Sequence, residues 1–283
     1  MPETLVANEI YLSLQGESTF AGLPCVFVRL TACDLRCSYC DTAYAFTEGK
    51  KANLSDIRSR IAKLAEPFQE RPPRASLAQG DSEPTTTPPR RGTDKTPLLG
   101  GVGVGRFMGS ESQIRLPLVE LTGGEPLLQE NSLPLMKSLC DEGFVVLIET
   151  SGAHDISRID PRVHRIMDLK CPSSGEMERN LLANLKHLKN TDEVKFVIGT
   201  QEDYSWAKEQ IAQHRLSSAC HLLFSWVAPL TSEQQAKSLK KVPAGQTQMS
   251  RKELAERIIG DALPVRFQVQ IHKVIWAPES RGV

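Results

Sequence analysis

The sequence of 283 residues carries no surplus of charge, since 34 Lys plus Arg are matched by 34 Asp plus Glu. A protein whose main partner is a nucleic-acid backbone or an anionic membrane surface needs a basic excess, so neither is expected as its principal partner. Long apolar runs are also lacking. The longest, Phe144 to Ile148, is far short of the roughly 20 residues that a membrane-spanning helix requires. The start, Met1-Pro2-Glu3-Thr4, has neither the basic nor the apolar stretch of a secretory leader, and a cytoplasmic location is expected. Aromatic residues are few, at 6%, and no basic, aromatic-rich face for RNA is evident. Cysteine, by contrast, needs a reason. Seven are present: Cys25, Cys33, Cys37, Cys40, Cys140, Cys171 and Cys220. An odd number in a cytoplasmic chain does not make a disulfide framework. Cys140 and Cys220 read as small buried hydrophobes, but three cysteines within eight residues do not.

Short β-type runs alternate with helix-type runs. Val26–Leu30, Leu116–Leu121, Phe144–Ile148, Ile166–Leu169, Val194–Ile198, His221–Phe224 and Phe267–Ile271 read as strands. Helices are expected at 53–65, 132–141, 204–214 and 251–259, with a shorter helical turn at 155–160 that ends before Pro161. Such alternation implies an α/β fold with a parallel sheet and right-handed crossovers, and about six units suggest a barrel, complete or partial. One stretch breaks the pattern. Seven of the 18 prolines fall between Pro67 and Pro97, and the Gly-rich run 100–105 follows. Residues 67–112 therefore read as an inserted flexible loop in a single domain spanning 1–283. Either it is a tolerated surface insertion, or its arginines, Arg71, Arg74, Arg90 and Arg91, dock a partner.

The run Cys33-Asp34-Leu35-Arg36-Cys37-Ser38-Tyr39-Cys40 places three thiols on one tight loop, a donor set suited to soft metals and iron–sulfur clusters. A structural zinc site would need a fourth protein ligand, Cys25 or Cys171, whereas a catalytic cluster can leave one iron open. Farther on, Leu121-Thr122-Gly123-Gly124-Glu125-Pro126 follows an expected strand. Its glycines let the backbone approach a ligand, and the Glu125 carboxylate can accept from an ammonium group.

With Tyr39 before the third cysteine and Asp41-Thr42 after it, the cysteine run resembles the cluster loop of the radical S-adenosylmethionine superfamily. The Gly-Gly-Glu-Pro turn resembles that superfamily's second motif, which holds the methionine amino group. Ser13-Leu14-Gln15-Gly16-Glu17-Ser18, Arg29, Glu149-Thr150-Ser151-Gly152, Asp168-Leu169-Lys170, the 192–196 segment and the C-terminal 266–276 segment are together similar to the 7-carboxy-7-deazaguanine synthases. The likeness runs from about Glu9 to Pro278 and skips only the Pro-rich insertion.

That resemblance implies a partial (β/α)6 barrel of the radical S-adenosylmethionine type. It implies a 4Fe-4S cluster on Cys33, Cys37 and Cys40, with S-adenosylmethionine chelating the fourth iron. One-electron cleavage of the cofactor would give a 5′-deoxyadenosyl radical, which would take hydrogen from 6-carboxy-5,6,7,8-tetrahydropterin. Ring contraction and loss of ammonia would then give 7-carboxy-7-deazaguanine, a queuosine-type precursor. Cofactor contacts are expected from Tyr39, Cys40, Asp41, Gly124, Glu125, Asp168, Leu169 and Lys170. Ser225, Trp226, Val227 and Ala228 join them, although relatives would have Ser-Pro-Val where this chain has Ser225-Trp226-Val227. Substrate contacts are expected from Leu14, Gln15, Gly16, Arg29, Thr122, His272 and Pro278, and Thr42 would hold a Mg²⁺ ion. A flavodoxin- or ferredoxin-type electron donor and a homodimer are further implications, with no membrane and no direct nucleic-acid contact. A glycyl-radical activase is the nearest rival, but it would not need Gln15, Arg29 and His272. A zinc-stabilised RNA-binding module is more remote.

Overall fold

The fold was read from a computed structural model, which describes residues 3–69, 114–232, 234–277 and 280–283. Nine strands make one sheet in the order β3-β1-β2-β4-β5-β6-β7-β8-β9. β1 (Thr4–Leu14) pairs antiparallel with both β2 (Pro24–Leu30) and β3 (Lys50–Asn53). From β2 onward every pairing is parallel, through β4 (Leu118–Gly123), β5 (Val146–Thr150), β6 (His164–Leu169), β7 (Glu193–Ile198), β8 (His221–Trp226) and β9 (Arg266–Gln268). Parallel strands are covered on both faces, which explains their near-continuous apolar runs. One face packs on α1 (Leu54–Gln69), α2 (Ser132–Asp141), α3 (Gln201–Gln213) and α4 (Arg251–Gly260) through a core that includes Val28, Leu121, Ile148, Met167, Phe196 and Phe224. The other face carries a smaller plug of Cys25, Phe27, Leu118, Leu147 and Ile166 near the strands' N-terminal ends.

The helix expected at 132–141 is α2, with the same bounds. α3 begins earlier than expected, because Thr200 and Asp203 form a reciprocal capping box, and Ser250 with Glu253 does the same for α4. α1 runs past Pro67 to Gln69. A proline so close to a helix end costs one backbone hydrogen bond without breaking the helix. The first three residues of the expected 67–112 insertion are thus helical, and 70–112 lie outside the described residues.

Three expectations fail locally. The 155–160 turn is not helical, because the Asp155 carboxylate accepts from the Ser157 backbone N–H at 2.8 Å and from its hydroxyl, an arrangement that competes with helix formation. The terminal strand is shorter than 267–271, and Ile271–Ile275 instead forms the short helix α5. Alternation with helices is also incomplete: β5 to β6 is joined without a helix, and β6 to β7 by 3-10 turns alone. β1 and β3 were not expected. A register shift between Ala7 and Glu9 breaks β1's apolar alternation, which hides the strand from a period-of-two reading.

The sheet has two edges, β3 and β9. The β1–β2 connection crosses between its two halves: Gln15 Nε2 donates to Glu120 of β4, the Thr19 amide and hydroxyl donate to Glu193 of β7, and the Ser18 carbonyl accepts from Gln268 Nε2 of β9. These bonds floor the inner face below its C-terminal rim. Among the described residues no helix is long and apolar enough to cross a membrane.

Candidate active site

Because the seven parallel strands run the same way, their C-terminal ends share one rim, where parallel α/β folds gather functional loops. The cysteine loop follows β2, the Gly-Gly turn closes β4, Glu149-Thr150-Ser151 end β5, Asp168-Leu169-Lys170 end β6, and Ser225-Trp226 end β8. They surround a cavity of about 560 Å³, within the usual range for small-molecule and cofactor sites.

The cysteine loop is fastened from three sides. Arg36 N donates to Glu176 Oε1 at 2.7 Å and Arg36 O accepts from Lys240 N at 2.8 Å, while Ser38 N donates to Ser174 O at 3.0 Å. The Gly-Gly turn supplies the third attachment, with Gly124 N on Leu30 O (3.1 Å) and Glu125 N on Ala32 O (2.8 Å). Cys33, Cys37 and Cys40 all line the cavity. Burial pushes the Cys33 and Cys37 thiols up to about 11 and raises Cys40 as well. Leu35 N donates to Cys33 Sγ at 3.4 Å, the kind of backbone donor that supports cluster-bound sulfur. Among the described residues no group of three or more His, Cys, Asp or Glu side chains is gathered closely enough to hold a metal ion. Cys25 belongs to the inner plug and Cys171 to the outer core, and neither lines the cavity. With neither candidate fourth ligand at the cavity, a closed zinc site is not built there, and the three loop thiols suit a cluster with one open iron better.

Beside the loop, Tyr39, Asp41, Thr42, Gly124, Asp168 and Lys170 line the same cavity, as do Ser225, Trp226, Val227 and Ala228. Lys170 Nζ lies 2.7 Å from Asp168 Oδ2. Burial opposes its charge, but the Asp168 carboxylate and the Cys37 thiol together outweigh burial and raise its pKa. Asp168 Oδ1 and the Tyr39 hydroxyl are buried without a partner among the described residues. Buried polar atoms are normally satisfied, so these two are suited to a bound cofactor's polar groups. The Thr42 hydroxyl makes no helix-capping bond and lies 3.8 Å from Cys40 Sγ.

Leu14, Gln15, Gly16, Arg29, Thr122 and His272 also line the cavity, brought from both ends of the chain. A methyl group on Gly16 would lie 3.1 Å from His272 Nδ1, so the two segments touch. Burial lowers the pKa of His272 and favours its neutral form. Arg29 Nε donates to Glu9 at 2.7 Å and Nη2 to the Tyr11 hydroxyl at 2.7 Å, which leaves Nη1 without a partner among the described residues.

Two residues of the expected set sit elsewhere. Leu169 is fully buried in the outer core and does not line the cavity. Glu125 is fully buried behind the turn, where its carboxylate accepts from Leu127 N, Thr150 Oγ1, Ser151 N and Ser151 Oγ at 2.6–3.1 Å. Its side chain ties β4 to β5 rather than waiting for an ammonium group. Glu125→Ala is expected to leave those donors unsatisfied and cost about 3 kcal/mol, a fall in Tm of roughly 6–12 °C in thermal unfolding of the protein before cluster loading. An unchanged Tm would remove this tie from the fold. Pro278 lies outside the described residues.

Sequence reasoning passed over Glu120 and quoted Glu17, Glu149 and Lys195 only within family motifs, with no role in the site. Glu120, Glu149 and Lys195 all line the cavity, joined by Glu17. Thr122 Oγ1 donates to Glu149 Oε2 at 3.0 Å, Lys195 Nζ donates to Glu149 Oε1, and Ser225 Oγ donates to Glu17. A charged residue at the centre of a strand that is covered on both faces was the available signal.

No family model matches the chain. It is 36% identical over 279 residues to the 7-carboxy-7-deazaguanine synthase of Chlorobaculum tepidum, covering 98% of this chain and 96% of the relative. To the synthase of the same name from Koribacter versatilis it is 37% identical over 277 residues, covering 98% and 99%. The chain belongs to the 7-carboxy-7-deazaguanine synthase family. A 7-carboxy-7-deazaguanine synthase of Escherichia coli matches at 27% identity over 205 residues, covering 72% of this chain and 77% of the relative. The crystal structure of QueE from Escherichia coli has a TM-score of 0.58 at 20% identity, covering 94% of each chain, and confirms the fold that this synthase-family chain adopts.

Proposed function

We propose that this chain, as a 7-carboxy-7-deazaguanine synthase, converts 6-carboxy-5,6,7,8-tetrahydropterin to 7-carboxy-7-deazaguanine with loss of ammonia, by radical S-adenosylmethionine chemistry in a partial (β/α)6 barrel. One observation carries the reading: the three thiols of the cysteine loop and the terminal segments bearing Gln15, Arg29 and His272 line one cavity. A glycyl-radical activase would have no need of those last three residues.

Cys33, Cys37 and Cys40 would hold the 4Fe-4S cluster, with Tyr39, Asp41, Gly124, Asp168, Lys170 and the 225–228 segment around S-adenosylmethionine. Cluster and cofactor together would supply one-electron radical chemistry at this site. The protein positions the substrate and keeps water away. Glu9 and Tyr11 fix the Arg29 guanidinium plane, so that Nη1 can take the substrate carboxylate without a rotamer search. Neutral His272 and Gly16 close the opposite wall. Lys273 pairs with Asp41 at 2.5 Å, and Arg281 pairs with Glu48 at 2.7 Å and stacks on Tyr44. These contacts draw the C-terminal segment across the rim. Thr42 would give Mg²⁺ one protein oxygen, with water and substrate completing its shell. An external flavodoxin- or ferredoxin-type donor, a cytoplasmic setting and a homodimer complete the reading.

The test is anaerobic reconstitution with iron and sulfide, then incubation with dithionite, S-adenosylmethionine, Mg²⁺ and 6-carboxytetrahydropterin, with products read by mass spectrometry. A deazaguanine product is expected. Cofactor cleavage with intact pterin would overturn the substrate assignment. In the same assay Arg29→Ala should keep its iron and raise KM by about tenfold or more, the usual scale for a lost charge-assisted bond; an unchanged KM would remove Arg29 from the substrate.

A further inference from the structure

Glu120 stands between Val119 and Leu121 in β4, is 1% exposed, and yet lines the cavity. The period of two along a strand puts it on the same face as Thr122, roughly 6–7 Å deeper. Gln15 Nε2 donates to its Oε2 at 2.9 Å, and Gln15 Oε1 accepts from Glu17 N at 2.7 Å, so the amide holds the carboxylate in one orientation. The groups that act on it come from every neighbouring element: Tyr11 of β1, Cys25 and Arg29 of β2, Glu149 of β5 and Lys195 of β7. The two nearby cations are committed elsewhere, Arg29 to Glu9 and Lys195 to Glu149, with Glu17 3.8 Å from Lys195. The cavity floor thus has three carboxylates, Glu17, Glu120 and Glu149, and a single lysine. An acceptor-rich floor repels a substrate carboxylate and suits an end of the ligand that offers donors. The pyrimidine half of a pterin has such an end, with N3–H and the 2-amino group side by side like the fork of a guanidinium.

We propose that Glu120 is the specificity carboxylate of the site, accepting hydrogen bonds from the N3–H and 2-amino group of the pterin. This assignment rests on the pterin reading above. It carries a proton signature. Burial, reinforced by Glu149, pushes Glu120 up to about 8 in the free protein, so near neutral pH it holds a proton. A pair of donors favours the ionised form, and binding releases that proton. Affinity then rises by about tenfold per pH unit on going up toward pH 8 and levels off above it. Burial lowers the pKa of His272, and Glu149 keeps Lys195 charged despite its burial.

The experiment is anaerobic isothermal titration of 6-carboxy-5,6,7,8-tetrahydropterin into the cluster-loaded protein without S-adenosylmethionine, so that nothing turns over. It is run from pH 6 to 8.5 in buffers of different protonation heat, alongside the 2-oxo analogue that lacks the amino group. The expected result is release of about one proton near pH 7 and strong preference for the 2-amino compound. Glu120→Gln should bind at least about tenfold more weakly at pH 8, release no proton, and lose the preference. Tight binding by the unaltered protein with no proton release, or a Glu120→Gln chain matching it in affinity and preference, would overturn the assignment and leave Glu120 as an anchor for Gln15 alone. If the unaltered protein holds its cluster but binds no pterin, the substrate reading fails and this assignment with it. The proton count needs no variant, so a poorly folding substitution does not blunt the test.

Discussion

Cys37→Ala is expected to abolish both cluster formation and turnover while leaving a folded chain. After anaerobic reconstitution, the variant should contain iron and acid-labile sulfide at background level and give no product, with a circular dichroism spectrum like that of the unaltered protein. The loss is total because the loop has no reserve ligand. Cys25 lies in the inner plug, bonded to the Val26 carbonyl, and Cys171 lies fully buried in the outer core, bonded to the Leu169 carbonyl. Bringing either to the loop would require the sheet itself to move. The fold survives because Cys37 contributes little to packing beyond one small buried side chain, a change of about 1 kcal/mol. The loop's other attachments, to Glu176, Ser174 and Lys240, do not use the Cys37 side chain. A Cys37→Ala protein with a full complement of iron and sulfide would overturn the three-thiolate assignment.

What was legible in the sequence was whatever depends on local chemistry. Three thiols within eight residues, a Gly-Gly turn after an apolar run, and a helix with a clean 3.6 period at 132–141 all declare themselves without knowledge of neighbours. The least legible features depend on what lies across the fold. β1 has a polar stretch, Asn8-Glu9, at its register shift, and only pairing with β2 and β3 explains why it is a strand. Glu125 looked free to receive an ammonium, yet Thr150 and Ser151 from the next strand saturate it. Glu120 drew no notice, Glu149 and Lys195 stood only as parts of family motifs, and the cavity they line together makes them one polar group. Each of these misreadings has the same cause. A residue's sequence neighbours set its backbone, but its partner across a parallel sheet sits a crossover away.

Gly124→Ala tests that dependence most severely. The added methyl would lie 1.9 Å from the Ala32 carbonyl oxygen and 3.1 Å from Cys33 Cβ, and the nearest of these atoms is backbone, which cannot swing aside. To admit it, the turn must part from the cysteine loop. That breaks the bonds from Gly124 N to Leu30 O and from Glu125 N to Ala32 O, and it draws Glu125 away from Thr150 and Ser151. Overpacking of 1–3 kcal/mol adds to the loss of two buried backbone bonds, so destabilisation of about 3 kcal/mol or more is expected. Tm should fall by on the order of 10 °C, and iron uptake should fall with it because Cys33 is displaced. Gly260→Ala is the matched control. Its methyl meets nothing within 4 Å at the end of α4, and there alanine should be neutral or stabilising by up to about 1 kcal/mol. If Gly124→Ala unfolds like Gly260→Ala and takes up iron normally, the turn and the loop are not in contact, and the site's central attachment is wrong. If iron uptake fails while Gly260→Ala behaves as the unaltered protein, the second glycine of the turn is fixed by its closeness to the cysteine loop, not by a ligand's approach.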